Sequence, residues 1–183
     1  MGRAKRIWLP DYFFHVVCRG NRRDPLFYEE NDFHEFFYIL TEIYEKYPLQ
    51  LVSYCLMTNH FHLQVRSTEE SISKIMSLLN KRYANYFNTK YGLTGHVFEK
   101  RFFSDIISDP LGMLEVSRYI HQNPLKAKMV TSPELYPYSS MYYYTNSDID
   151  PPPFLDTTIL LNYFPESLDE RRQRFIEYTM KAE

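Results

Sequence analysis

Two apolar runs, residues 49–56 and 60–65, are separated only by Met57, Thr58 and Asn59. That spacing constrains the chain more than any other feature. Parallel strands need a crossover of about a dozen residues or more, whereas Asn59 tolerates the backbone conformations of a hairpin turn. The runs are therefore expected to pair antiparallel. Each is flanked by a helical pattern and then by a further strand. Before them, YFFHVVCR (12–19) is β-branched and aromatic and stands between Pro10 and the turn-forming GNRRDP, which predicts a strand followed by a turn. From Asn31 the apolar positions Phe33, Phe36, Phe37, Leu40, Tyr44 and Tyr47 recur at helical spacing, with Asn31 or Asp32 as N-cap and Pro48 as stop. After the pair, Ser67 and Glu70 read as a capping box, and Ile72, Ile75, Met76, Leu79, Tyr83, Tyr86 and Phe87 trace one helix face as far as Gly92. RFFSDII (101–107) makes a further strand, and Asp109 before Pro110 opens another helix.

The order βαββαβ plus a C-terminal helix predicts an α+β fold, a ferredoxin-like split βαβ antiparallel sheet with two helices on one face and the other face left for function. Residues 1–130 are expected to form the main domain. Residues 131–183, with Pro151 to Pro153 and short helices near 157–163 and 168–181, are expected to be an extension packed on it.

Composition narrows the partner. Cys18 and Cys55 are the only cysteines and both stand in apolar stretches, as buried thiols in a reducing compartment do. No signal segment or bilayer-spanning apolar run is present, so a soluble, cytoplasmic protein with no membrane partner is expected. The formal charge of −2 conceals segregation: Arg3, Lys5, Arg6, Arg19, Arg22 and Arg23 cluster near the start, with Asp11 as the only acid before Asp24, while the end of the chain is acidic. An anionic partner fits that cluster. The 17 tyrosines and 14 phenylalanines either pack or stack on bases.

The run MTNHFHLQV places two histidines on alternate positions. On a strand His60, His62, Gln64 and Arg66 share one face, while Phe61, Leu63 and Val65 share the other. Imidazoles about 7 Å apart along the strand can converge on one divalent metal if a further ligand joins them. On the third helix Leu114, Ser117, Ile120 and His121 lie on one side; Gly112, Glu115, Tyr119, Gln122 and Asn123 lie on another. Tyr119 and Asn123 are four apart, about 40° around the axis, so a phenol and an amide oxygen can address one point. Pro124 is expected to make Asn123 the last helical residue. Read singly, the histidine pair also fits a half-wet sheet face and Tyr119 fits ordinary packing.

YCLMTNHFHLQV, GHVFEKRF and RYIHQNPLKAKMV, together with HVVCRGNRRDPLF, resemble in order the single-tyrosine transposases of the HUH superfamily, most closely the REP-associated tyrosine transposases. The resemblance runs from about Trp8 to about Tyr144, departing at Thr58, where Pro is usual, and at Tyr138, where Trp is common. It implies a metal-dependent single-stranded DNA endonuclease and strand transferase, acting through a 5′-phosphotyrosine at hairpin-flanked sites. His60 and His62 correspond to its metal-binding histidines, Tyr119 to its nucleophile and Asn123 to the position of its third ligand, with Mg²⁺ or Mn²⁺ as the metal. The expected DNA contacts are Arg3, Lys5, Arg6, His15, Arg19, Asn21, Arg22, Arg23, Lys100, Arg101, Lys126 and Lys128, with His15 equally placed to support a metal ligand or to be a core histidine. Resemblance to the REP-associated branch favours a monomer, with a homodimer as the alternative. Three other readings stay open: a non-catalytic single-stranded nucleic-acid-binding module, a zinc hydrolase using His60, His62 and His15, and a domesticated member of the family.

Overall fold

The computed structural model describes residues 8–165 and 167–181, so the basic arm of Arg3, Lys5 and Arg6 lies outside the described residues. Strands β1 (Phe13–Arg19), β2 (Gln50–Met57), β3 (His60–Arg66) and β4 (Phe103–Ile107) form one antiparallel sheet in the order β2-β3-β1-β4. That is the split βαβ order expected. Thr58 and Asn59 make the turn between β2 and β3, and the register sets Arg19 opposite His60, Val17 opposite His62 and His15 opposite Gln64.

Alternation along the strands decides which face takes the helices. Phe14, Val16 and Cys18 of β1, and Phe61, Leu63 and Val65 of β3, pack against α1 (Glu30–Lys46) and α2 (Ile72–Tyr91) through Phe36, Leu40, Leu79 and Tyr83. Both helices begin differently from expectation. The N-cap of α1 is Glu29, because Asp32 occupies the third helical position and its carboxylate accepts from the backbone N–H of Tyr28 (2.8 Å) and Glu29 (3.1 Å). Ser67 does accept from Glu70 N at 3.4 Å, but its hydroxyl also donates to Pro48 O, and α2 starts later, capped by Ser71 on Lys74 N. Gly92 ends α2 at φ +62°, a conformation glycine adopts without a Cβ penalty.

The second face is more covered than the sequence suggested. β2 is buried along nearly its whole length, as its apolar stretch QLVSYCLM, broken inside only by Ser53, requires. Helix α3 (Pro110–Lys126) lies across it, with Cys55, Met57, Ile120 and Tyr136 in one cluster. The chain beyond residue 130 adds α4 (Met141–Thr145), α5 (Thr158–Leu161) and α6 (Leu168–Met180), whose Met141, Tyr144, Leu160 and Phe175 pack with Phe13, Val52 and Met113. It also closes the β2 edge, where Leu155 bridges Leu51 and Ser139 bridges Cys55. α3 runs through Pro124 to Lys126 rather than stopping at Asn123. The proline takes away one N–H late in the helix, and the last turn is closed by Ala127 N to Asn123 O, Lys128 N to Leu125 O and Met129 N to Pro124 O. No helix among the described residues is long and apolar enough to cross a membrane.

Candidate active site

What remains open on the second face is the strip over β1, the start of β3 and β4, beside α3. Two polar anchors place α3 there. Gln64, on the face shared with the histidines, is fully buried, accepting from Ser53 Oγ (2.7 Å) and donating to Met113 O (3.0 Å). Farther along, His121 Nε2 donates to Ser140 Oγ (2.8 Å), which accepts from Tyr54 N (2.8 Å) and donates to Tyr54 O (3.3 Å). Burial lowers the pKa of His121 to about 3, so it holds this bond as a neutral ring. Gln122, expected on the Tyr119 side, instead turns to α6 and donates to Thr179 O at 2.7 Å.

These anchors bring Tyr119 over the histidines. Its ring centre is 5.5 Å from that of His62 and 5.8 Å from that of His15, edge-on to both, and the residue stays 43% exposed. His60 and His62 have ring centres 5.0 Å apart, nearer than their spacing along the strand implies, so their side chains lean together. His15 Nε2 lies 3.0 Å from His62 Nδ1, and the two rings stack. His60 Nδ1 lies 2.7 Å from Asn59 Oδ1 and therefore carries the proton, while Asn59 Nδ2 donates to Arg23 O at 3.1 Å. The Nε2 atoms of His60 and His62 make no hydrogen bond among the described residues.

Burial holds all three imidazoles neutral. His62 is lowered to about 2 by desolvation, with His60, His15 and Arg19 adding repulsion. His60 is lowered by desolvation and then by Arg19; desolvation lowers His15 against the opposing pull of Asp105, its neighbour across β4. Neutral imidazoles keep the lone pairs that metal ligation uses.

In front of Tyr119 lies a cavity of about 630 Å³, walled by His15, His62 and Tyr119, by the apolar Val17, Phe103 and Val116, and by Arg19, Lys100 and Arg101. The expected nucleophile, His62, His15 and three of the expected cations thus meet around one place, with His60 beside His62 and outside the lining. Asn123 stands apart from this wall: its Nδ2 donates to Tyr119 O at 2.8 Å, leaving Oδ1 without a hydrogen bond among the described residues. Lys126 sits 5.8 Å from the Tyr119 ring centre, and Lys128 lies past the end of α3 at φ +58°. Asn21, Arg22 and Arg23 form a short 3-10 turn after β1, tied down by Asn21 N to Val97 O at 2.8 Å.

Sequence reasoning gave no role to Asn59, Glu99, Glu115 or Phe103. Glu115, one helical turn before Tyr119, was placed on the same side by periodicity alone. Glu99 was not readable locally, because it enters the wall through a long-range tie from its backbone N to Arg19 O at 3.0 Å.

Residues 9–123 match the family model described as Transposase IS200 like. The chain is 24% identical over 152 residues to a Haemophilus influenzae protein named as a REP-associated tyrosine transposase, an alignment covering 76% of this chain and 84% of that protein. Among solved structures, a REP-associated tyrosine transposase bound to a REP hairpin superposes with a TM-score of 0.68 at 17% identity, over 82% of this chain and 89% of the other. At that identity the likeness establishes a shared fold.

Proposed function

Because the chain belongs to the IS200-like transposase family, we propose that it cleaves single-stranded DNA beside a hairpin through covalent attack by Tyr119 and rejoins it to another end. The observation that carries this reading is the edge-on meeting of the exposed Tyr119 ring with the buried His62 and the half-buried His15, both neutral, at a cavity lined by Arg19, Lys100 and Arg101 together with Glu99 and Glu115. The hairpin enters by analogy with the structural neighbour, which was solved bound to one.

Tyr119 Oη bonds to phosphorus, the P–O3′ bond breaks, and the strand ends as a 5′-phosphotyrosine and a free 3′-hydroxyl. The tyrosyl proton leaves to solvent and the departing 3′-oxygen takes one up, so the exchange balances. Attack by a 3′-hydroxyl runs the same exchange backwards and frees Tyr119, so joining consumes no nucleotide cofactor. A phenol with a reference pKa near ~10 is a weak nucleophile at neutral pH, which places the burden on phosphate activation and alignment.

The donor set fits a divalent cation, Mg²⁺ or Mn²⁺. His60 and His62 offer Nε2, their Nδ1 atoms being engaged by Asn59 and His15. A cation held there would draw charge from a non-bridging phosphate oxygen and orient the in-line displacement. In this arrangement His62 Nδ1–H donates to His15 Nε2, so His15 orients a ligand instead of serving as one. Among the described residues no three His, Cys, Asp or Glu side chains converge on one point, so an oxygen ligand must complete the set. Asn123 Oδ1 would supply it if its amide gave up the Tyr119 carbonyl.

Arg19, Lys100 and Arg101 grip the phosphates flanking the scissile one. Asn21, Arg22 and Arg23 bind farther along, joined by Arg3, Lys5 and Arg6 from the start of the chain and by Lys126 and Lys128 beyond Tyr119. His15, His60, His62 and Tyr119 all come from one chain, which supports a monomer as the working unit. Incubation with a labelled hairpin oligonucleotide, with Mn²⁺ or with EDTA, tests the reading. A metal-dependent adduct that survives denaturation is expected; cleavage without an adduct would point to hydrolysis by activated water, and tight binding with neither to a binding module.

A further inference from the structure

A second hollow, of about 550 Å³, lies on the other side of the segment that walls the Tyr119 cavity, between α2 and residues 95–102. The two hollows share Glu99, Lys100 and Arg101, which form the ridge between them. The outer segment is held in place: Phe98 bridges Gly20, Asn21 N donates to Val97 O at 2.8 Å, and Glu99 N donates to Arg19 O at 3.0 Å.

The helix side of the hollow explains its width. α2 buries Ile72, Ile75, Leu79 and Tyr83 in the core, and toward the segment it turns Ser73, Ser77 and Lys81 at successive turns, with Met76, Asn80 and Ala84 beside them. The short side chains of Ser73, Ser77 and Ala84 leave a trough that longer ones would fill. Lys81, Lys100 and Arg101 face it against a single carboxylate, Glu99, and none of the three cations is in an ion pair among the described residues. Its volume lies within the range of ligand pockets and holds about one or two nucleotides.

We propose that this trough binds unpaired nucleotides of the same DNA strand after it has crossed the Lys100–Arg101 ridge from the cleavage site. Lys81, Lys100 and Arg101 take the phosphates, Phe98 offers a face to a base, and the serine hydroxyls exchange hydrogen bonds without demanding one base. The inference rests on the reading of the Tyr119 cavity as the cleavage site. It adds that substrate is gripped on both sides of the ridge, so binding strengthens when the single-stranded flank is long enough to reach α2.

The test is fluorescence anisotropy with hairpin oligonucleotides whose flanks are lengthened one nucleotide at a time, on each side in turn. The wild-type protein and the variants Ser77→Trp and Lys81→Glu are compared, each at an exposed position of α2. Wild type is expected to gain about tenfold in affinity over a window of one or two added nucleotides on one flank. Ser77→Trp fills the trough and removes that gain, and Lys81→Glu reverses one contact and flattens the salt dependence by about 0.7 in log–log slope. Both variants keep short-flank binding and the Tyr119 adduct on the shortest cleavable substrate. A smooth length dependence in wild type, or a gain that survives both variants, overturns the trough as a binding site. Absence of any adduct on the shortest substrate with wild type overturns the cleavage reading itself, and this inference with it.

Discussion

Arg22 and Arg23 sit at φ +54° and +66°, in the left-handed region, on an exposed turn. Non-glycine residues incur roughly 1–2 kcal/mol each in that conformation, and such strain persists where its surroundings over-determine it. Here the surroundings are visible: Gly20 N donates to Asn59 O (2.8 Å), Arg23 N to Gly20 O (3.0 Å), and Asn59 Nδ2 to Arg23 O (3.1 Å). A Cβ on Gly20 would stand 2.1 Å from Asp24 O, so the turn cannot relax outward from that end. Replacing Arg22 and Arg23 by glycine removes the left-handed penalty but adds unfolded-state entropy of roughly 0.5–1 kcal/mol per residue. The balance is a net stabilisation of roughly 1–2 kcal/mol for the double variant, or about 2–8 °C in Tm for a chain of this size. The same change removes two cations from the proposed DNA path. Affinity for the hairpin oligonucleotide should fall about tenfold at low salt, with the log–log salt slope shallower by about 1.5. Differential scanning calorimetry and anisotropy on one protein preparation read both effects. A lowered Tm would refute the strain assignment, and unchanged affinity would remove these arginines from the DNA path.

Two further outcomes follow from single hydrogen-bonding groups. Asn59→Ala frees His60 Nδ1 from its acceptor and is expected to weaken Mn²⁺ binding, read by isothermal titration, about 10–100-fold; unchanged affinity would show that Asn59 does not orient His60. Burial alone would raise the pKa of Asp32, but hydrogen bonds from Lys90, Tyr91 and the backbone N–H of Tyr28 and Glu29 hold it below 3.8. A depressed carboxylate contributes stability that is present above its unfolded pKa and is lost as pH falls through its folded value. Urea midpoints should therefore decline below about pH 4, and more steeply in wild type than in Asp32→Asn. Asp32→Ala leaves Lys90 with Glu29 but takes the acceptor from Tyr91 and from the Tyr28 and Glu29 backbone N–H groups, and is expected to cost about 1–3 kcal/mol. A flat midpoint in acid, or an alanine variant as stable as wild type, contradicts that account.

The sheet was legible because its signals are local: a three-residue gap that permits only a hairpin, alternation in HFHLQV, and helical periods on either side. Both N-caps were misplaced because more than one residue able to cap stands within about a turn of each helix start. Asp32 was recognised as a helix-start residue but acts from the third position, where its carboxylate can also reach Lys90 and Tyr91 across α2. The covered second face was legible in principle from the mostly apolar run of β2, which does not alternate, and reading alternation in β3 alone hid it. In the site, His60, His62 and Tyr119 were found by periodicity and resemblance together. His15 was expected near His62 from the sheet order, and Lys100 from its charge; the part of Glu99 was not, because it depends on a loop tied to the end of β1 that no local pattern encodes.

The measurement that bears most directly on the central claim is denaturing electrophoresis of wild type and Tyr119→Phe after incubation with a 5′- or 3′-labelled hairpin oligonucleotide and Mn²⁺. Wild type is expected to carry label from the 3′ side of the cut on the protein and to release a strand ending in a 3′-hydroxyl, while Tyr119→Phe does neither and still binds the oligonucleotide. An adduct of equal yield in Tyr119→Phe would place the nucleophile elsewhere and contradict the assignment made from the meeting of Tyr119 with His15 and His62.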